Sequence, residues 1–390
     1  MPALPLADFR ARFPILGRRV YVNNCSQGAL SLDVEAAFAG FLASWREGGS
    51  PWDRWVDAVE RLRGAVAAWI GADADEVAVV PSASAAISAI ASALDFTGPR
   101  RRVVVGDLEF PTMAHVWLAQ ARRGAEVAFA HAEGESIAPS AYRALVDDRT
   151  LVVPVTHVCY RNGFRLDVED IVAACHEQGA LVFLDDYQHT GTAPIDVRAL
   201  GVDFWVSGAL KYLLGPSGVA FLYVRRDLID RLVPSVTGWF GRIDPFAFDP
   251  TRCDWSASAR RFEGGTPPIP NAYAALAGLE LLQSVGAGVI AARIGELTTR
   301  LHLGGSRAGY RLLTSADPAR RGPLVVVSSP DAAALVERLG RRGIIASARG
   351  RGVRISFHAY NDTNDADAVL EALAAEAHLV DRVPAAEPAR

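Results

Sequence analysis

Between about residue 59 and residue 230 short apolar runs alternate with helix-length stretches, and no other feature of the sequence restricts the fold as much. The runs at 77–80, 102–105, 180–184 and 204–206 read as buried strands, and the stretch from Ser82 to Leu94 reads as a helix. Strands that alternate with helices predict a mostly parallel sheet with right-handed crossovers and helices on both faces, an α/β architecture. Residues 238–270 are aromatic, rich in Pro and Gly, and irregular. A helical stretch from Ala272 to about Leu301 then leads to a smaller α/β unit. Its strands are expected at 324–328 and 353–357, covered by helices at 331–341 and 365–376. The expected division is an N-terminal segment (1–30), a large domain (31–270), a small C-terminal domain (271–380) and a frayed tail (381–390) rich in Pro and Ala.

Open sheets of this kind bind ligands beyond the C-terminal ends of their strands. The run 180–184 delivers Asp185 at that end, and the run 204–206 ends at Ser207 and leads into Lys211. Lys211 is the single lysine in a chain with 40 Lys+Arg residues. Arginine stays protonated, whereas an ε-amine can lose its proton and form an imine with a carbonyl. A carboxylate and an amine aimed at one crevice match what pyridoxal phosphate requires: a lysine for the imine, and an acid that keeps the pyridine nitrogen protonated so that the ring accepts electrons.

The ordered set Asp185-Asp186-Tyr187-Gln188-His189-Thr190-Gly191, Lys211 26 positions after Asp185, and Gly215-Pro216-Ser217-Gly218 resembles the class V aminotransferase family of fold-type I pyridoxal-phosphate enzymes. Cysteine desulfurases, kynureninases and isopenicillin N epimerase-like proteins belong to that family. The resemblance runs from about Tyr21 to about Leu373 and implies the fold-type I transferase fold, with a large cofactor-binding domain.

It also implies roles. Lys211 becomes the lysine that bonds the cofactor, Asp185 the partner of its pyridine nitrogen, and Gln188 the residue facing its phenolic oxygen. Ser84, beside Ala83, occupies the place of a phosphate-binding threonine at a helix start, where N–H groups and the helix dipole favour an anion. An ordinary N-cap also accounts for Ser82 and Ser84. Ser207 is a second phosphate candidate. In Asp107-Leu108-Glu109-Phe110-Pro111-Thr112, Phe110 takes the position that stacks on the pyridine ring. Desulfurase-like members have a histidine there, so proton transfer is left mainly to Lys211, with His157 or His189 as helpers or as plain hydrogen-bonding residues.

In Thr156-His157-Val158-Cys159-Tyr160-Arg161-Asn162-Gly163, Tyr160 replaces the family's asparagine. Arg354, in Arg351-Gly352-Val353-Arg354-Ile355-Ser356-Phe357, matches the arginine that clamps a substrate carboxylate, which suits a planar guanidinium. The segment Tyr21–Gly28, with Asn24, resembles the part that lines the substrate pocket, alongside His157. Trp52 and Trp55 form either an aromatic wall there or ordinary helix-face packing. Thr266, in Phe262-Glu263-Gly264-Gly265-Thr266-Pro267, resembles the residue that reaches the phosphate of the neighbouring subunit, so the resemblance implies a homodimer with shared active sites.

A net charge of −4 and a pI of about 6.1 give no electrostatic footprint for nucleic acid or anionic lipid. No stretch nears twenty uninterrupted apolar residues, and charges at Asp8, Arg10, Arg12, Arg18 and Arg19 break any signal-peptide core, so a cytoplasmic protein is expected. Cys25, Cys159, Cys175 and Cys253 form no metal-ligand or disulfide pattern, and no metal is expected. The stretch 345–350, expected as the loop on which the resemblance puts the persulfide cysteine of desulfurases, has none.

An enzyme of this kind acts on an α-amino acid. The sequence favours β-elimination, a C–S lyase reaction on a substituted cysteine. Transamination, decarboxylating or oxidative deamination and epimerisation stay open, as does a non-catalytic binding module.

Overall fold

The computed structural model describes residues 3–383. Seven strands build the central sheet: β2 (Val77–Val80), β3 (Arg102–Gly106), β4 (Glu126–Ala130), β5 (Thr150–Thr156), β6 (Leu181–Asp185), β7 (Phe204–Gly208) and β8 (Ala220–Val224). They lie in the order β2-β8-β7-β6-β5-β3-β4, and β8 alone runs antiparallel to its neighbours. The expected mostly parallel sheet is therefore present.

Alternation along the strands explains why both faces are covered. Val153, Val155, Val182, Leu184 and Trp205 enter one buried cluster with residues of the helices Trp52–Ile70, Val168–Glu177 and Ile269–Val285. Their neighbours Val152, Phe183, Phe204 and Val206 enter another, with the helices Ala83–Ala93 and Pro111–Ala119. A period of two places successive side chains on opposite faces, so strands apolar at every position demand a helical layer on each side.

A second sheet is antiparallel, with β12 (Gly352–Ser356) between β11 (Ser347–Arg349) and β9 (Leu324–Ser328). The helices Ala332–Arg341 and Thr363–Ala375 close its core. The N-terminal segment joins this unit: β1 (Val20–Tyr21) pairs in parallel with β10 (Ile344–Ile345), and Asn23 bridges to Ser356. The stretch 345–350, expected as a loop, is thus largely strand.

Two expectations need correction. The helical stretch from Ala272 to Leu301 is two helices, Ile269–Val285 and Ala287–Arg307, bent by 82°. Gly286, at φ +91°, makes the break, because few other residues adopt that backbone without strain. The first helix packs in the large-domain core, and the second starts there with Ile290 and Ile294 and reaches the small-domain core with Leu297 and Leu301. The tail is also held further than expected: the Asp381 N–H donates to the Ser328 carbonyl and Arg382 bridges to Tyr310. The remaining part, 384–390, lies outside the described residues. No single described helix is long and apolar enough to cross a membrane, although the bent pair passes by length and composition together.

Candidate active site

Neighbouring parallel strands β6 and β7 pair Asp185 with Val206, so both end at one rim of the sheet. Asp185 is the last residue of β6, and Lys211 follows three residues after β7. A cavity of about 350 Å³ opens there, lined by Cys25 and Ser26; Ser82, Ala83 and Ser84; Phe110 and Thr112; Tyr160; Asp185, Tyr187 and Gln188; and Lys211, with Arg349 and Arg354 from the small sheet.

Charge inside the cavity is displaced toward the neutral forms. Burial raises the Asp185 carboxyl to about 6, opposed by the Tyr187 N–H it accepts from at 3.0 Å and by Lys211. Burial also lowers the Lys211 amine to about 8, against the pull of Asp185. The Lys211 Nζ stands 4.4 Å from the Tyr187 ring centroid and 5.9 Å from that of Phe110. Phe110 is edge-on to Tyr160 at 5.1 Å.

Arg354 is buried in the middle strand of the small sheet. Its Nη1 donates to the Tyr160 carbonyl at 2.9 Å, and its Nη2 to the hydroxyls of Ser26 and Ser347, each at 2.9 Å. Its Nε has no partner in the structure.

Whether pyridoxal phosphate fits is answered by groups left without partners. Ala83 and Ser84 open the helix Ala83–Ala93, so their N–H groups have no acceptor within it. Ser84 Oγ meets Thr112 Oγ1 at 3.2 Å, and Ser82 caps the helix by accepting from the Ala85 N–H. Gln188 donates to the Cys25 carbonyl at 3.1 Å and leaves Oε1 buried and unpartnered; Ser207 Oγ is likewise orphaned. An amine, an acid, a helix start with free N–H donors and the hydroxyls of Ser84 and Thr112 around one cavity fit the cofactor.

The structure does not bring every expected residue to this cavity. Asn24 is fully buried away from it, donating to the Ser356 carbonyl at 2.8 Å and accepting from the Tyr360 hydroxyl. Its amide fastens the N-terminal segment to the small domain, and Cys25 and Ser26 of that segment line the cavity in its place. His157 turns away as well: its Nδ1 is 2.6 Å from Asp186 Oδ1, its ring stacks on His189 at 4.0 Å, and both histidines line a separate groove. Burial lowers the His157 pKa. Ser207 is buried beside the cavity without lining it. Thr266 is exposed on another groove, with Val236 and Pro267.

Trp52 and Trp55 pack edge to face at 5.5 Å, and Trp55 donates to Ser44 Oγ, which is helix packing and not a cavity wall. Sequence reasoning passed over Tyr187, Thr112, Arg349 and the Cys25 thiol. Tyr187 lies inside the stretch that revealed Asp185 and Gln188, and Arg349 shares a strand face with Ser347, which pairs with Arg354.

The chain belongs to the class-V aminotransferase family, whose family model, Aminotransferase class-V, matches residues 42–369. The protein is accordingly a pyridoxal-phosphate-dependent enzyme. It is 33% identical over 369 residues to the "Uncharacterized aminotransferase YcbU" of Bacillus subtilis (strain 168), covering 95% of this chain and 97% of that one. It is 32% identical over 365 residues to a kynureninase of Deinococcus radiodurans, covering 88% and 86%. Two solved structures of C-DES superpose with a TM-score of 0.86 at 23% identity. One has glycine covalently linked to its PLP cofactor and covers 94% of this chain and 98% of that one. The other, described as a cystine C–S lyase with its product cysteine persulfide, covers 93% and 99%. These two establish a shared fold.

Proposed function

We propose that the protein cleaves the bond between Cβ and a sulfur substituent of an α-amino acid, releasing a thiol. The observation that carries this reading is the convergence of the Lys211 amine, the Asp185 carboxyl and the Arg354 guanidinium on one cavity. When bound, pyridoxal phosphate supplies an electron sink that stabilises negative charge at Cα. Asp185 would accept a hydrogen bond from the protonated ring nitrogen, Gln188 would lie toward the phenolic oxygen, and Ser84 with the N–H of Ala83 would hold the phosphate, with Phe110 against the ring and Ser207 behind the lining.

Arg354 receives the substrate carboxylate, its guanidinium held in place by Tyr160, Ser26 and Ser347. A clamp locked in advance loses little entropy on binding and holds Cα within reach of Lys211. With a pKa of about 8, the Lys211 amine can take the Cα proton near neutral pH. The thiolate then leaves from Cβ.

One feature favours elimination: no cysteine stands on the stretch 345–350 to take over sulfur, and the Cys25 thiol lies 3.9 Å from Ser347 Oγ, on the side of the carboxylate clamp. The likeness to an aminotransferase over nearly the whole chain supports transamination as the second reading.

Product analysis separates the two. Incubation with S-substituted cysteines is expected to release pyruvate, ammonia and one thiol per turnover. Stoichiometric conversion of the cofactor to its pyridoxamine form, reversed by a 2-oxo acid, would overturn elimination in favour of transamination. We further propose that the enzyme works in the cytoplasm as a homodimer in which Thr266 serves the partner's phosphate site.

A further inference from the structure

One acidic and three basic side chains line the cavity: Asp185, Lys211, Arg349 and Arg354. On the reading above, Lys211 and Asp185 engage the cofactor and Arg354 engages the substrate's α-carboxylate. Arg349 is left over. Its only side-chain hydrogen bond is local, from Nη1 to the Ala348 carbonyl at 2.9 Å, and among the described residues no carboxylate pairs with it. Its neighbour Arg351 differs, being tied to Asp381 at 3.2 Å away from the cavity. Of two exposed arginines on one hairpin, one is neutralised and the other faces the cavity.

Strand register explains the placement. Ser347 pairs with Arg354 and Arg349 pairs with Gly352 across β11 and β12. Residues two apart on a strand share a face, so Ser347, Arg349, Gly352 and Arg354 all belong to the face that meets the cavity. Arg349 and Arg354 are diagonal neighbours there, with backbones roughly 7–8 Å apart. Gly352, opposite Arg349, presents no side chain to obstruct its guanidinium. A bare guanidinium beside a second, committed one suits a ligand with two anionic groups a few bonds apart.

We propose that Arg349 is a specificity-determining residue that binds a second acid group, so that the natural substrate is an α-amino acid with a carboxylate or similar anion on its side-chain substituent. This inference rests on the assignment of Arg354 to the α-carboxylate and holds whichever bond is broken afterwards.

The holoenzyme is titrated by calorimetry with succinate, a diacid, and with butyrate, a monoacid of the same chain length. A hydrogen-bonded charge pair at a partly exposed position predicts that succinate binds about tenfold more tightly. That preference should fall several-fold in Arg349→Gln, persist in the control Arg351→Gln, and return in part in Arg349→Lys. Equal binding of the two acids by the wild type, or a preference unchanged in Arg349→Gln, overturns the proposal. In turnover, the kcat/KM ratio of S-carboxymethylcysteine to S-propylcysteine should shrink in Arg349→Gln by a like factor. Loss of the succinate preference in Arg349→Gln without any pyruvate release would leave Arg349 as the acid subsite and remove only the elimination reading.

Discussion

Lys211 and Asp185 are each held away from their ordinary charge by burial and partly restored by each other. A lysine below its pKa is protonated and cannot attack an aldehyde, and above it the amine is free. Because burial brings Lys211 down to about 8, uptake of pyridoxal phosphate by the apo-protein should accelerate with pH along a curve centred near 8. A curve centred near 10.5, the value of an ordinary lysine, would refute the desolvated amine. Stopped-flow absorbance across pH 6–11 (roughly the span over which lysines in proteins titrate) measures it. At Arg354 the prediction concerns shape more than charge. Arg354→Lys keeps the positive charge but loses the planar fork, and kcat/KM is expected to fall about a hundredfold while cofactor content stays unchanged. Cofactor loss in parallel would mean that Arg354 acts on the fold and not on substrate.

The elements deliver these residues through close backbone contacts, and Gly28 shows how narrow the tolerance is. Its N–H donates to the Leu210 carbonyl at 2.7 Å, and a Cβ at this position would collide with the backbone oxygen of Lys211. Gly28→Ala is therefore expected to push the Lys211 turn off its strand end, costing about 1–3 kcal/mol and much of the cofactor affinity. A lower thermal midpoint with weaker cofactor absorbance would show it; wild-type values for both would sink it. Strands such as β3, β6 and β7 were legible because short apolar runs alternate with helix-length stretches, and with them the strand-end positions of Asp185 and Lys211. The bend at Gly286 was not, since helical periodicity continues on both sides and one glycine inside a helix is ordinarily tolerated. Asn24 and His157 lie in stretches that do approach the cavity, but side-chain direction is set by tertiary partners, Ser356 and Tyr360 for one and Asp186 for the other. Arg349 was hidden for the opposite reason: its role follows from register across a hairpin, and the sequence reading took that stretch for a loop.

For the whole molecule, Thr266 forces the question of assembly, because it is exposed and lies outside the cavity of its own chain. Exposed apolar side chains lie in the segments around it. Val236 lines the groove with Thr266, and the Gly264 carbonyl accepts from the Phe240 N–H, tying that groove to a region where Ile243 is 65% and Phe248 71% exposed. Exposed apolar surface favours burial against another protein, and in the homodimer proposed above each Thr266 would serve the other subunit's helix start at Ala83 and Ser84. Subunit mixing tests this. Lys211→Ala disables the site that bears the mutation, whereas Thr266→Glu should disable the partner's site by placing a negative charge against the phosphate. Neither variant should be active alone. In a re-equilibrated one-to-one mixture about half the dimers are mixed, and each mixed dimer holds one intact site, so roughly a quarter of wild-type activity should return. If Thr266 served its own chain's site, every chain in the mixture would carry a damaged site and no activity would be recovered.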